Sequence, residues 1–351
     1  MFPRRKYVQV NNRNFLYSPA HPMSKSVPEK HFHIARGGAQ GIDSGPLAGA
    51  VVAIGNFDGV HRGHRAVIGA ALTRARKLGR KAAALTFTPH PRLFLRPQET
   101  LFELSSERDK LRLLAATGLD GAIVMTFDAS LAATSAEDFI GKILVGALGI
   151  GGAAIGFDFH FGKSRAGSPS FLAEQGARLG FAVDVAPPLE DEGRPVSSGA
   201  VRAALAAGRV VEATELLGAP WFVSGEVIHG DKRGRELGFP TANLKLNPTC
   251  GLKHGIYAVR IAVAGKHHDG VASFGRRPMF DDGAPLLEVF LFDFDGDLYG
   301  RAIDVAFIGW IRHEQKFESI ETLKRHMTAD VAQARDALKR VGIAFPALGD
   351  I

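Results

Sequence analysis

The sequence predicts two domains in series: an α/β domain built on a parallel sheet, then an antiparallel β-barrel with a terminal helix. Three observations carry this. At 351 residues the chain is longer than one hydrophobic core ordinarily serves. Between Ala48 and Ala186 short apolar runs rich in Val, Ile and Ala are spaced by helix-compatible stretches, the pattern of parallel strands joined by crossover helices. Past Leu217 short alternating runs take over, as in strands with one buried face. The expected boundaries are 46–217 and 218–345, with Gly218–Trp221 as the hinge and residues 1–45 as a basic, flexible leader.

The strands expected in the first domain are Ala48–Ile54, Lys81–Phe87, Gly121–Phe127, Ala153–Phe159 and Phe181–Ala186. Between them Arg62–Lys77, Ser105–Thr117 and Ser135–Leu148 read as helices, the last opened by Ser135 and Asp138 in capping-box spacing. In the second domain Tyr257, Val259, Ile261 and Val263 share one strand face. Leu287, Val289 and Leu291 share another, and Ile303, Val305 and Phe307 continue the alternation. Asp295-Gly296 offers a hairpin turn. A final helix begins near Ser319, with Ile320, Leu323, Met327, Val331, Ala334 and Leu338 at steps of three and four.

Composition narrows the function classes. With 46% hydrophobic and 23% charged residues the chain belongs with folding globular proteins rather than disordered ones. No uncharged run is long enough to span a bilayer, and no secretory signal is recognisable. A single cysteine, Cys250, excludes an internal disulfide and a thiolate metal cluster and suits a reducing compartment, so a cytoplasmic location is expected. Of the formal charge of +7, residues 1–47 hold +5, seven Lys/Arg against two acids, and the body holds +2. A basic nucleic-acid face is therefore not expected in the folded part. The leader reads as a mobile tail, a transit peptide, or the result of a start codon upstream of Met23.

The most informative stretch is Gly55-Asn56-Phe57-Asp58-Gly59-Val60-His61-Arg62-Gly63-His64. It follows the first strand and enters a helix, where ligands of parallel α/β sheets bind and where glycines let backbone N–H groups approach an anion. HxGH in this setting points to nucleotidyl transfer. Two imidazoles meet the α-phosphate and the departing pyrophosphate, and the nucleophile belongs to the substrate.

GNFDGVHRGH is joined by LTFTPHPR at 85–92, GFDFHFGKSRAG at 156–167 and VSSGAVRAAL at 196–205. On these segments the chain resembles the bifunctional prokaryotic riboflavin kinase and FAD synthetase family over residues 46–342. The resemblance implies a Rossmann-like nucleotidyltransferase domain that moves AMP from ATP to FMN, followed by a riboflavin kinase-like barrel. It implies His61 and His64 as catalytic groups and Gly55, Asn56, Phe57, Asp58 and Gly63 as the ATP cradle. Ser197, Ser198 and Arg202 would grip phosphate at a helix start, with Asp158 and Phe159 against the flavin.

In the second half GEVIHG at 225–230 and GRELGFPTAN at 234–243 resemble the kinase's phosphate loop. Gly230, Gly234, Gly238 and Pro240 would shape it. Thr241 and Asn243, two apart in an extended segment, would project oxygens to one face for Mg²⁺. Glu288 matches the family's catalytic base, and a carboxylate between apolar strand residues is costly unless paired or functional. Departures are His160 for a frequent Arg, Gly199 for Ser or Thr, Thr88 for Asp, Met279 for Thr and Ser273 for Asn.

The expected cofactors are ATP and Mg²⁺, with riboflavin, FMN and FAD as substrates and products and no nucleic acid or membrane as partner. A monomer and a weak homo-oligomer both stay open. So do two other functions: a monofunctional FAD synthetase with an inactive kinase domain, motivated by Met279 and Ser273, and a flavin-responsive nucleic-acid binder, motivated by the basic leader.

Overall fold

The computed structural model describes residues 31–191, 193–230, 238–276, 285–341 and 345–351. Gly234 and Met279 lie outside them. The first half runs β1 (His33–Gly38), β2 (Gly41–Ile42), β3 (Val51–Ile54), α1 (Arg62–Leu78), β4 (Ala82–Thr88), α2 (Pro91–Leu95), α3 (Glu107–Ala115) and β5 (Gly121–Thr126). It continues with α4 (Ala129–Ala133), α5 (Ala136–Asp138, prolonged as a π-helix over Phe139–Ala147), β6 (Gly152–Gly156), α6 (Pro169–Leu179) and β7 (Ala182–Ala186). The sheet order is β2-β1-β5-β4-β3-β6-β7, parallel throughout except for β2.

The five strands expected from the apolar runs are all present. In β3 every residue is buried, as expected of a strand covered on both faces. Helix α1 buries Val67, Ile68, Ala71 and Ala75, one face at steps of three and four. It ends on Gly79, whose φ of 62° is the left-handed C-cap that glycine adopts without strain. Ser135 accepts from the backbone N–H of Asp138, as its spacing predicted.

One expectation is corrected at the start of the chain. His33–Gly38, assigned to the flexible leader, is a strand of the sheet and pairs in parallel with β5. HIARGG gives no apolar alternation to signal it, because the strand's order comes from its neighbour rather than from its own side chains.

After a short hairpin, β8 (Glu190–Asp191) and β9 (Arg194–Pro195), come α7 (Ser198–Ala206) and α8 (Val210–Leu217). The second half comprises β10 (Phe222–Glu226), β11 (Ala242–Lys245), β12 (Gly255–Val263), β13 (Lys266–Arg276), β14 (Pro285–Leu291), β15 (Ala302–Arg312) and α9 (Ile320–Arg340). Its antiparallel order is β10-β15-β12-β13-β14-β11, and a bridge between Ile228 and Asn243 brings the two edges together into a near-closed barrel. Tyr257, Val259, Ile261, Leu287, Val289, Val305 and Phe307 fill its interior. Val201, Leu205, Val210 and Leu216 of α7 and α8 belong to that same core.

Two further expectations change. Asp295-Gly296 is no hairpin turn, since β14 pairs with β13 and β11 while β15 pairs with β10 and β12. A turn dipeptide reverses the chain without choosing the strand it returns to. On α9 the apolar stripe is buried only toward its C-terminal end, at Ala334 and Leu338, while Ile320 is exposed. The helix is held to β15 by Arg312, which grips the buried Asp330 at 2.7 and 2.6 Å. No helix among the described residues is long and apolar enough to cross a membrane.

A polar cluster ties α3 to the barrel. Arg112 donates to both carboxylate oxygens of Asp304 at 2.9 and 2.7 Å, and Ser224 lies 2.7 Å from Asp109 and 2.6 Å from Asp304. Burial acts to raise the Asp304 pKa, but the guanidinium and the hydroxyl outweigh it and hold the carboxyl below its usual range. Asp304→Ala removes the two-pronged partner of Arg112 and leaves it Asp109 at 3.2 Å, so it is expected to cost about 2 kcal/mol, the scale of lost hydrogen bonds to a charged group. A thermal melt reads this directly, and an unchanged midpoint would refute it.

Candidate functional site

The sheet reverses its order at β3, whose neighbours are β4 on one side and β6 on the other. Loops leaving β3 and β6 therefore diverge, and the crevice between them is where open α/β sheets bind ligands. A cavity of about 900 Å³ occupies this position, lined by Gly55–Asp58, His61, Gly63 and His64 from the first loop and by Asp158–Lys163 from the second. Ser197, Ser198 and Arg202 close it from α7.

The first loop is bent tightly. Phe57, Gly59 and Val60 have φ of 51°, 77° and 45°, and Phe57 and Val60 are fully buried. Two non-glycine residues in this region cost on the order of 1–3 kcal/mol each, and persist only where packing holds them. The bend delivers His61 as the N-cap of α1, its Nδ1 accepting the His64 backbone N–H at 3.3 Å. The proton of neutral His61 therefore sits on Nε2. The two rings stack with centroids 3.7 Å apart. Gly63 is required between them, since a Cβ there would stand 3.0 Å from the His61 ring and 3.3 Å from the Val196 carbonyl.

Asp58 does not present a free carboxylate to the cavity. It is 4% exposed, accepts from the backbone N–H groups of Leu104 and Ser105 at 2.9 and 3.1 Å, and is paired with Arg202. Arg202 also donates to the carbonyl of Phe102. Ser197 caps α7 through the Ala200 N–H, and Ser198 donates to the Asp58 carbonyl at 3.0 Å. The N-termini of α1 and α7 thus meet at one cavity wall, which favours a bound anion. Asp158 is exposed on the opposite loop; Phe159 is half-buried and stacks on buried Phe161 with centroids 5.4 Å apart.

The second site lies on the barrel. Asn243 of β11 stands directly opposite Glu288 of β14, and Glu288 stands directly opposite Ser273 of β13. Paired residues point to the same side, so the three form a polar row across three strands. Leu287 and Val289, on either side of Glu288, face the apolar interior. Asn243 is buried; its Nδ2 makes a long bond of 3.4 Å to the Thr241 carbonyl, and its Oδ1 has no hydrogen-bond partner among the described residues. Gly230 leaves room for that amide, as a Cβ would lie 2.5 Å from Nδ2. Gly238, with φ of 87°, and Pro240 lead into Thr241 just before β11.

Residues 44–200 match the FAD synthetase family and residues 217–338 the riboflavin kinase family. Three curated relatives are each described as a bifunctional riboflavin kinase/FMN adenylyltransferase. The protein from Pseudomonas fluorescens is 42% identical over 82% of this chain and 92% of its own. The Escherichia coli K12 protein is 39% identical over 85% and 96%, and the Bacillus subtilis protein 37% identical over 82% and 92%. This chain belongs to the bifunctional riboflavin kinase/FMN adenylyltransferase family. Its fold is similar to the crystal structure of a macrolide-efflux protein from Streptococcus pneumoniae, with a TM-score of 0.76 and 32% identity over 84% of this chain and 96% of that one.

His90 belongs to the LTFTPHPR segment read from the sequence but was not singled out there as a site residue. His90 lines the cavity and caps α2, its Nδ1 accepting from the Arg92 N–H at 3.1 Å. Its place just after β4, on the sheet edge that carries His61 and His64, was the available signal. Burial pushes His61 down to about 4, with Arg202 adding to the shift. Burial likewise pushes His90 down to about 4, aided by Arg202, Lys110 and Arg92 and opposed by Asp58. His64 is driven well below its ordinary value by burial, then by His61, Lys110 and Arg202. All three imidazoles are neutral at pH 7.

These shifts fix the sign of a pH effect on stability. Unfolded histidines take up protons near 6.5, the folded ones only near 4, so stability is expected to fall as pH drops through that window. Each pKa unit corresponds to about 1.4 kcal/mol per group. Melting curves of the ligand-free protein between pH 7 and 4 should slope downward, and more gently in His61→Gln. Equal slopes would remove His61 from the account.

Proposed function

We propose that this chain phosphorylates riboflavin to FMN on its barrel and adenylylates FMN to FAD at the crevice of its parallel sheet, using one ATP in each reaction. The observation that carries the pairing of both activities in one active chain is the direct cross-strand opposition of Asn243 and Glu288.

In the kinase reaction Glu288 draws the proton from the ribityl 5′-hydroxyl as that oxygen attacks the γ-phosphorus. The bond from the γ-phosphorus to the β–γ bridging oxygen breaks, and ADP leaves. The buried Oδ1 of Asn243, without a partner among the described residues, suits a hard cation, with Thr241 two residues away as a second oxygen donor. Bound there, Mg²⁺ supplies charge neutralisation at the β- and γ-phosphates. Gly230, Gly238 and Pro240 shape the phosphate-binding side of this site.

In the adenylyl transfer a phosphate oxygen of FMN attacks the α-phosphorus of a second ATP and pyrophosphate leaves. The protein positions and neutralises, and no covalent enzyme intermediate is needed. His61 offers its Nε2 proton to a phosphate oxygen, with His64 stacked beside it, and the N-terminus of α1 adds N–H groups behind them. Ser197, Ser198 and Arg202 hold the departing pyrophosphate, and Arg202 has a guanidinium edge to spare beyond its bonds to Asp58 and Phe102. Gly55, Asn56, Phe57 and Gly63 shape the cradle. Asp58 serves it indirectly by fixing Arg202. Asp158 and Phe159, on the loop after β6, meet the flavin.

Riboflavin, ATP and Mg²⁺ supplied together are expected to yield FMN and then FAD, resolved by chromatography. Glu288→Ala should cut FMN formation by about 10²–10⁴-fold while FAD still forms from supplied FMN. His64→Ala should do the reverse and accumulate FMN. Equal loss of both reactions in Glu288→Ala, with the fold intact, would sink the division of labour. Asn243→Ala should raise the half-saturating Mg²⁺ for FMN formation at least about tenfold, the scale seen even for partners that orient a metal ligand. A metal titration with unchanged midpoint would clear Asn243 of that role.

A further inference from the structure

Behind the wall of the adenylyl-transfer cavity lies a lysine to which neither reaction assigns a task. Lys110, on α3, is only 8% exposed, a degree of burial rare for lysine unless its charge is paired or used. Its ammonium donates to the carbonyl of Phe87 at 3.3 Å. Phe87 is near the end of β4, three residues before His90, and Phe87, His90, His64 and Asp58 all line the cavity.

The groups facing Lys110 come from several elements. Three carboxylates attract it: Asp58 from the loop after β3, Glu103 from the segment before α3, and Glu107 from the first turn of α3. They oppose the lowering of its pKa by burial and favour its charged form. Asp58 is already engaged by Arg202, so its charge is shared between two cations. On the cavity side the positive charge reaches His64 of α1 and His90 of α2's N-cap.

We propose that Lys110 is a further positioning residue for adenylyl transfer: its ammonium anchors the turn that carries His90 and stands as a fixed positive charge behind the His61–His64 pair for the triphosphate of ATP. The inference deepens the adenylylation assigned above and rests on it. A buried cation behind the wall has no hydration shell to rearrange when the triphosphate arrives, and the low polarity around it lengthens the reach of its field. The same charge discourages protonation of His64 and His90 in the empty site, so their N–H groups await the anion as neutral donors.

The test uses the full chain and follows FAD formation from FMN and ATP across pH, with FMN formation from riboflavin as a check that the fold is intact. Lys110→Gln, which removes the charge, is expected to raise KM for ATP about tenfold, with a smaller change in kcat. It should also move the acid limb of the kcat/KM profile to higher pH, because histidines without a cationic neighbour protonate more readily. Lys110→Arg should keep both near the parent values, and the kinase rate should be unchanged in each. A parent-like KM and acid limb in Lys110→Gln would overturn the proposal, as would Lys110→Arg as impaired as Lys110→Gln with normal kinase activity. Lys110→Met carries the same expectations should the glutamine variant misfold, and failure of both neutral variants to fold would make the lysine structural and overturn the proposal. No FAD formation by the parent chain would instead remove the adenylylation reading itself.

Discussion

A buried carboxylate cannot be left alone in a protein interior, and satisfying the one on Asp58 organises much of this molecule. Its oxygens take the N–H groups of Leu104 and Ser105 and the guanidinium of Arg202, partners that lie 46, 47 and 144 residues away in sequence. The loop after β3, the approach to α3 and the first turns of α7 are thereby fixed to one point. That attachment is what lets Phe57 and Val60 stay in the left-handed region, and the resulting bend is what aims His61 into the crevice. The peptide of Leu104 carries the constraint onward: its N–H serves Asp58, and its carbonyl accepts from the buried indole of Trp221 at 2.8 Å. Trp221 in turn stacks on Phe307 in the barrel core, with centroids 5.1 Å apart.

The two candidate sites are built in opposite ways. At the sheet crevice the imidazoles are neutral and desolvated, the arginine is held by an acid, and two helix N-termini supply fixed dipoles. Charge is assembled beforehand and held, which is the preorganisation that the proposed adenylyl transfer calls for. On the barrel the row of Asn243, Glu288 and Ser273 offers oxygen-bearing side chains, and the Oδ1 of Asn243 is an acceptor with no partner among the described residues. One site presents mainly donors; the other presents mainly acceptors. This is why the glycines differ in purpose too. Gly63 makes room for an imidazole ring, and Gly230 makes room for an amide.

What the sequence revealed follows the physics of short-range pattern. Strands β3 to β7 and helix α1 were legible because burial on both faces, or on one helical face, forces apolar residues into a fixed period. HxGH and PTAN were legible because loop geometry restricts residue types over a few positions. The rest depended on partners far apart in the chain. β1 has no apolar period and owes its place to β5. Asp330 reads as a polar interruption of a helix stripe until Arg312 of β15 is set against it. Lys110 looks like a solvated helix residue, and only the carbonyl of Phe87 and the three neighbouring acids reveal a buried one. Asp58, read as an ATP contact, proves to be occupied by the fold itself.

The boundary between the halves shows the same dependence on long-range packing. Sequence rhythm changes at Leu217, and the match to the kinase family begins at the same place. Yet Val201, Leu205, Val210 and Leu216, on the two helices after the crevice-lining turn at Ser197, share one buried cluster with Tyr257 and Phe307 of the barrel. α7 therefore has two loyalties. Its N-terminus caps the crevice through Ser197 and Ser198, and its apolar face completes the core of the other half. Cutting the chain at 217 would leave that face in water, and at roughly 25 cal/mol per Å² of apolar surface a few large side chains are enough to offset a substantial part of a domain's net stability. A shared helix, rather than a tether, is what joins the two halves of this chain, and it places the crevice-lining Ser197 and Ser198 at the end of a rod whose side packs against the other half.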